Sequence, residues 1–212
     1  MRVNLQQENF IFDPSGVAFW ESKRILLIAD VHLGKIAHFR KHGSAVPQKA
    51  ILNNFVQLKK VVDAYAPKKI YFLGDLFHSA FNMEFAYFKT WVQEQQADLV
   101  LVVGNHDIIS PLHFENLGIV IKKEVCLEKF LLTHHPEERE GFLNICGHIH
   151  PGFRLRGMGR QHEKLACFFK SKHQLILPAF GTFTGKYLLQ ASKDDQIYVC
   201  TKTEVIPIPQ KL

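Results

Sequence analysis

Short apolar runs, rich in β-branched and aromatic residues, punctuate the chain at 25–29, 70–73, 99–103, 130–133 and 143–146. Runs of this length bounded by turn-forming residues read as buried strands. Each stops at polar residues of metal-binding type: Asp30-Val31-His32, Gly74-Asp75-Leu76-Phe77-His78, Gly104-Asn105-His106-Asp107, His134 and Gly147-His148-Ile149-His150. The pattern therefore predicts five strands whose ends carry chemistry, which is where open α/β sheets build their ligand sites.

The remaining pattern divides the chain into two halves. Ile51, Leu52, Phe55, Leu58, Val61 and Val62 recur at three- and four-residue spacing and predict an amphipathic helix, opened by Pro47 and stopped at Ala66-Pro67. A second helix is expected over 83–96, with Phe85, Phe88, Trp91 and Val92 facing inward. Residues 10–12 and 17–20 flank Asp13-Pro14-Ser15-Gly16, whose types favour a turn, so a hairpin should precede the first buried strand. The stretch 111–117 reads as irregular. After Gly118 strand signals dominate, at 120–121, 124–127, 165–169, 174–177 and 197–201. Alternating strands and helices in the first half predict βαβ units and a parallel or mixed sheet. No repeat and no linker rich in Pro, Gly or Ser interrupts the chain, which predicts one domain over 1–212 without a separate capping domain.

Composition narrows this reading only a little. At 212 residues the chain can bury one substantial core. It has no stretch of roughly 18 consecutive apolar residues, so no membrane span is expected. Its first residues lack the basic-then-apolar pattern of a secretion signal, so a cytoplasmic location is expected. Cys126, Cys146, Cys167 and Cys200 form no CxxC pair and read as small buried hydrophobes in a reducing compartment. The formal charge of +6 favours polyanionic partners, and its distribution says more than its sum. His38, Arg40, Lys41 and His42 follow the first polar motif, and Arg154, Arg156, Arg160, His162 and Lys164 follow the last. Lys35, Arg40 and Lys41 are candidate phosphate or DNA-backbone contacts, a solvated loop being the alternative. Phe39 beside them is expected under the loop, or else stacked on an unpaired base. The glycines of Leu177-Pro178-Ala179-Phe180-Gly181-Thr182-Phe183-Thr184-Gly185 suggest sharp bends close to the site, forming a wall of the pocket, with substrate contact as the alternative.

Mixed carboxylate, amide and imidazole ligands suit Mn²⁺, Zn²⁺ or Fe²⁺ rather than the all-oxygen cages of Ca²⁺ or Mg²⁺. In an extended segment Asp30 and His32 would share one face, as would His148 and His150. Two such clamps, with Asp75, Asn105 and His134, can hold two cations. A shared carboxylate would bridge them and leave a water or hydroxide between them as nucleophile, the arrangement that phosphoester hydrolysis uses.

These five segments, in this order, resemble the motifs of the calcineurin-like metallophosphoesterases. The resemblance implies a four-layer α/β/β/α sandwich. It also implies one metal held by Asp30, His32, Asp75 and His150, and another held by Asp75, Asn105, His134 and His148, with Asp75 bridging. His106 would be a general acid or phosphate contact, and Asp107 would orient it. His134 is preferred to its neighbour His135 because the family's fourth-motif histidine directly follows an apolar strand; His135 would touch phosphate or solvent. The run ending in His78 is similar to the GDLFH motif of DNA nucleases within the family, which puts His78 beside the substrate phosphate. DVHLGKIAHFRKHG (30–43), GDLFHS (74–79), GHIHPG (147–152) and LPAFGTFTG (177–185) resemble the ligase-associated DNA damage response endonucleases of the PdeM type. That group implies manganese-dependent cleavage of DNA, with a functional link to an ATP-dependent DNA ligase, a helicase and an exonuclease. Two alternatives stand beside the DNA endonuclease: a phosphodiesterase or phosphatase for a small nucleotide or phosphate ester, and, remotely, a non-catalytic scaffold. All seven ligand positions and His106 are present, which argues against the scaffold.

Overall fold

The structure, a computed structural model, describes residues 1–35, 49–78, 83–156, 162–182 and 184–209. Its first sheet begins antiparallel, where short turns join the strands, and becomes parallel where helices provide the longer crossovers. Strands β1 (Arg2–Leu5), β2 (Glu8–Phe12), β3 (Ala18–Trp20) and β4 (Ile25–Ile28) pair antiparallel in that order. From β4 the sheet runs parallel through β5 (Lys69–Leu73), β6 (Asp98–Val102) and β7 (Val120–Lys122). Helix α1 (Lys49–Tyr65) lies between β4 and β5 in the chain, α2 (Met83–Gln93) between β5 and β6, and the short α3 (Pro111–Glu115) before β7.

The second sheet comes from the rest of the chain. Its strands are β8 (Val125–Leu127), β9 (Phe130–Leu132), β10 (Leu143–Cys146), β11 (Pro151–Arg156), β12 (His162–Lys170), β13 (Gln174–Ile176) and β14 (Tyr187–Leu188), ordered 14-11-12-13-10-9-8. Strands β15 (Gln196–Cys200) and β16 (Val205–Ile208) extend it from β12. At its centre β9, β10 and β13 run parallel.

Strand alternation splits the apolar side chains between two cores. Leu27, Tyr71, Leu73, Val100 and Val102 point at the second sheet and meet Phe130, Ile145, Phe168 and Leu175. The rings of Phe12 and Phe168 stack across this interface at 4.2 Å. On the other face Leu26, Ile28, Ile70, Phe72 and Leu101 pack under Leu58 and Val61 of α1, Phe88 and Trp91 of α2 and Phe114 of α3. A mixed α/β architecture with helix, sheet and sheet layers results. All three described helices cover the first sheet. Against the outer face of the second, Cys146, Phe169 and Ile176 form a small cluster with Ile149, Leu189 and Ile197.

Several elements differ from the sequence reading. Helix α2 ends at Gln93, three residues early, and residues expected to be irregular form α3, a helix too short to show periodicity. Strands β1, β11, β14 and β16 were not anticipated, because they are charged, very short or contain proline. Cys146, Cys167 and Cys200 are buried free thiols as expected, but Cys126 is exposed, because it lies on β8 at the end of the second sheet. No described helix is long and apolar enough to cross a membrane.

Candidate metal centre

The five polar segments meet at one end of the stacked sheets. Strands β4, β5 and β6 are parallel neighbours, as are β9 and β10, so their carboxyl ends fall together. The chain leaves β4 and β5 along matched paths: the N–H groups of Asp30, His32 and Leu33 donate to the carbonyls of Gly74, Asp75 and Leu76, and that of His78 donates back to Leu33. The ligand residues are not extended. Asp30, His32, Asp75, His148 and His150 all have positive φ, between 49° and 67°. The expectation that Asp-x-His and His-x-His share a strand face is thus corrected: the paired residues converge through left-handed turns. Such a conformation costs a non-glycine residue on the order of 1–3 kcal/mol, and surrounding structure must impose it.

Each sheet locks the other's ligands. From the second sheet the N–H of His148 donates to Asp30 Oδ2 at 2.9 Å, and within the first the N–H of His106 donates to Asp75 Oδ1 at 2.9 Å. Gly74, at φ +80°, leaves room for the His134 ring, whose Nδ1 would lie 2.2 Å from a β-carbon there. Gly147 does the converse, since a β-carbon on it would lie 2.4 Å from Asp30 Oδ2.

Asp30, His32 and His150 bring one ligand atom each within 4.8 Å of one another, as do Asp30, Asp75 and His134. His32 Nε2 lies 3.2 Å from His150 Nε2, and His150 Nε2 lies 3.3 Å from Asp30 Oδ1. Nδ1 of His134 sits 2.9 Å from the Leu73 carbonyl, a contact that assigns the proton to Nδ1 and leaves Nε2 as an acceptor. That Nε2 faces Asn105 Oδ1 at 3.0 Å, Asp75 Oδ1 at 3.4 Å and His148 Nδ1 at 3.2 Å.

This donor set fits cations. Asp30 Oδ1 is buried without a hydrogen-bond partner, and the oxygens of Asn105 and Asp75 confront an acceptor nitrogen. Apposed lone pairs repel unless a positive charge lies among them. Burial, then Lys35 and the histidines His150, His78 and His106, push the His32 pKa down to about 2, so its imidazole stays neutral, the form that binds metal. Burial and neighbouring histidines lower the pKa of His148 as well.

His134, not His135, meets Asn105 and Asp75. His135 is exposed, its ring 4.1 Å from that of His148, and the two form a third close group with His134. His78 and His106 stand over the His32 side, with ring centroids 4.6 Å apart and 5.2 Å and 6.1 Å from His32. Asp107 engages backbone rather than the His106 ring: its carboxylate accepts from Gly104 N–H at 2.8 Å and Phe77 N–H at 3.2 Å, which ties two motif loops together. Burial raises its pKa to about 6. Lys35 is half-buried near Asp30 and Asp75, with burial lowering its pKa. Arg40, Lys41 and Phe39 lie outside the described residues.

Two supporting residues escaped the sequence reading. Asn54 is buried on α1 and donates to the Val31 carbonyl at 3.3 Å, between the first two ligands. Glu84 is buried in the first turn of α2 and accepts from the Gly34 N–H at 2.6 Å, just before Lys35. The signal was available: each is a polar residue at an inward helical position, three or four residues from Leu58 or Phe88.

A model of the calcineurin-like phosphoesterase family matches residues 23–199. Among solved structures, the nuclease MPE of Pseudomonas putida superposes with a TM-score of 0.84 at 26% identity, over 98% of this chain and 99% of its own. Yfce, a phosphoesterase from E. coli, gives a TM-score of 0.43 at 15% identity, over 88% of this chain and 99% of its own. No curated protein matches the sequence at a significant level.

Proposed function

The chain belongs to the calcineurin-like phosphoesterase family and is a metal-dependent hydrolase; from that premise we propose that it is a manganese-dependent DNA endonuclease acting in repair. One observation carries the reading: buried carboxylates and imidazoles from five strand ends converge with their ligand atoms facing one another. The likeness to a nuclease over nearly the whole chain supports nucleic acid as substrate.

In this reading Asp30, His32, Asp75 and His150 hold one cation, and Asp75, Asn105, His134 and His148 the other. Bound there, the pair supplies the Lewis acidity that activates a water as nucleophile and neutralises phosphate charge. The exposed His106 donates a proton to the leaving oxygen, or a hydrogen bond to the phosphate. His78, ring to ring with it, contacts the same phosphate. Asp107 keeps the loop of Asn105 and His106 at fixed distance from that of Asp75. Lys35 adds positive charge at the mouth, and Arg40 and Lys41 follow the DNA backbone. The whole chain then works as one domain, in the cytoplasm, alongside an ATP-dependent ligase, a helicase and an exonuclease.

The test is nicking of closed circular DNA by metal-stripped protein resupplied with Mn²⁺, with His106→Ala as the contamination control. Nicking by the wild type alone is expected. Vigorous hydrolysis of an aryl phosphodiester without any nicking would keep the hydrolytic site and remove DNA as its substrate.

A further inference from the structure

A cleft of about 170 Å³ has His150 in its lining. Phe180, almost fully buried, is part of that lining. Ser15, Gln57 of α1, Thr182, Thr184 and Lys186 supply its other polar groups. None of its lining residues is acidic, so nothing there repels a ligand tied to a phosphate. The polar groups are neutral hydroxyls and an amide, each able to donate and accept, and Lys186 is an exposed cation. Thr184 Oγ1 is buried and finds no hydrogen-bond partner within the protein, a valence of the kind that a bound ligand satisfies.

We infer that this cleft is a subsite for the nucleoside attached to the scissile phosphate, an inference that rests on the phosphodiesterase reading above. The volume suits one heterocycle, Phe180 gives the lining an aromatic contact for it, and hydroxyl and amide groups suit its hydrogen-bonding edge. Because His150 belongs both to the cleft and to the metal-binding group, a base seated here sits one linkage from a phosphate at the cations. The segment 177–185, expected to wall the pocket or to touch substrate, thereby takes the second role through Thr182 and Thr184.

The experiment compares kcat/KM of the manganese-loaded enzyme for thymidine 5′-(p-nitrophenyl phosphate) and for bis(p-nitrophenyl) phosphate, which shares the reacting group and lacks the nucleoside. The wild type is expected to prefer the thymidine ester by about ten-fold or more, expressed chiefly in KM. Thr184→Val and Gln57→Ala should each reduce that preference by about three-fold or more, and Ala166→Leu, which adds bulk to the cleft lining, should bring it close to unity. Uncharged thymidine should inhibit bis(p-nitrophenyl) phosphate hydrolysis competitively, and more weakly in Ala166→Leu. No preference in the wild type, or a preference and an inhibition that all three variants retain, would overturn the subsite while leaving the phosphodiesterase intact. Failure to cleave either diester would overturn the phosphodiesterase reading, and the subsite with it.

Discussion

The two stacked sheets bring different chemistry to the site at their strand ends. From the first come both carboxylates, the Asn105 amide and His32; from the second come only the imidazoles of His134, His148 and His150. Among the described residues, the first sheet is apolar on both faces, between the second sheet and three helices, whereas the second carries a small cluster on its outer side. Both carboxylates are thus mounted on the sheet that is packed on two faces, and the sheet with the smaller outer cluster supplies imidazoles. Buried charge is the costlier group to misplace, since an unpaired carboxylate loses several kcal/mol of solvation while an unpaired imidazole only stays neutral.

If that division is real, loss of a first-sheet carboxylate should be the largest effect. Asp30→Ala or Asp75→Ala should lower aryl diester turnover by about 1,000-fold or more, and His148→Ala by about 10- to 100-fold. Equal losses, measured at saturating Mn²⁺, would erase the distinction between the sheets. Next, the two packing environments should separate in urea unfolding. Phe72→Ala, in the doubly covered layer, should cost about 3–5 kcal/mol, and Ile176→Ala, on the open outer face, about 2 kcal/mol. Gly147→Ala attacks the junction itself: its β-carbon would displace Asp30 and weaken the 2.9 Å bond from His148 N–H. A loss of about 1–3 kcal/mol is expected, with a smaller rise in melting temperature on adding Mn²⁺ than the wild type shows.

The smallest effect concerns pH. Burial raises the Asp107 pKa from 3.8 to about 6 in the folded chain, so folding favours its protonated form. That contribution is complete below about pH 4 and is lost as pH rises through 6. In metal-free protein, wild type should therefore lose up to about 2 kcal/mol relative to Asp107→Asn between those limits. A constant difference across that range, from parallel urea titrations, would place Asp107 in a wetter setting than the structure gives it.

What the sequence made legible were the parts governed by burial. The runs ending at Asp30, Asp75, Asn105, His134 and His148 are interior strands, and an interior strand announces itself because it is apolar almost throughout, with Lys69 and Asp98 only at strand starts and Asn144 alone within one. Peripheral strands carry no such mark. β1 begins with Arg2, β11 alternates Arg154 and Arg156 with apolar residues, and Pro207 interrupts β16. Aspartate and histidine sit in left-handed backbone more readily than branched residues do, yet nothing local says that Asp30 or His150 must. That conformation is imposed by partners distant in the chain, whereas the preference for His134 over His135 could be read from its place after an apolar strand, and the gap left by Gly74 receives its ring. The glycine-rich run 177–185 was recognisable as a pocket wall; the cleft behind it needed α1 and β12 in place.

The hydrogen bond from His148 to Asp30 joins residues 118 positions apart. Contacts of such long range form late, because the entropy of closing the intervening loop must be met before they stabilise anything. A chain emerging from the ribosome exposes Asp30, His32 and Asp75 well before His148 and His150 exist. The hydrolytic centre therefore assembles only after roughly the first 150 residues are made and the second sheet has docked. Until then the nascent protein carries ligands without a site, and its order of synthesis keeps it inert.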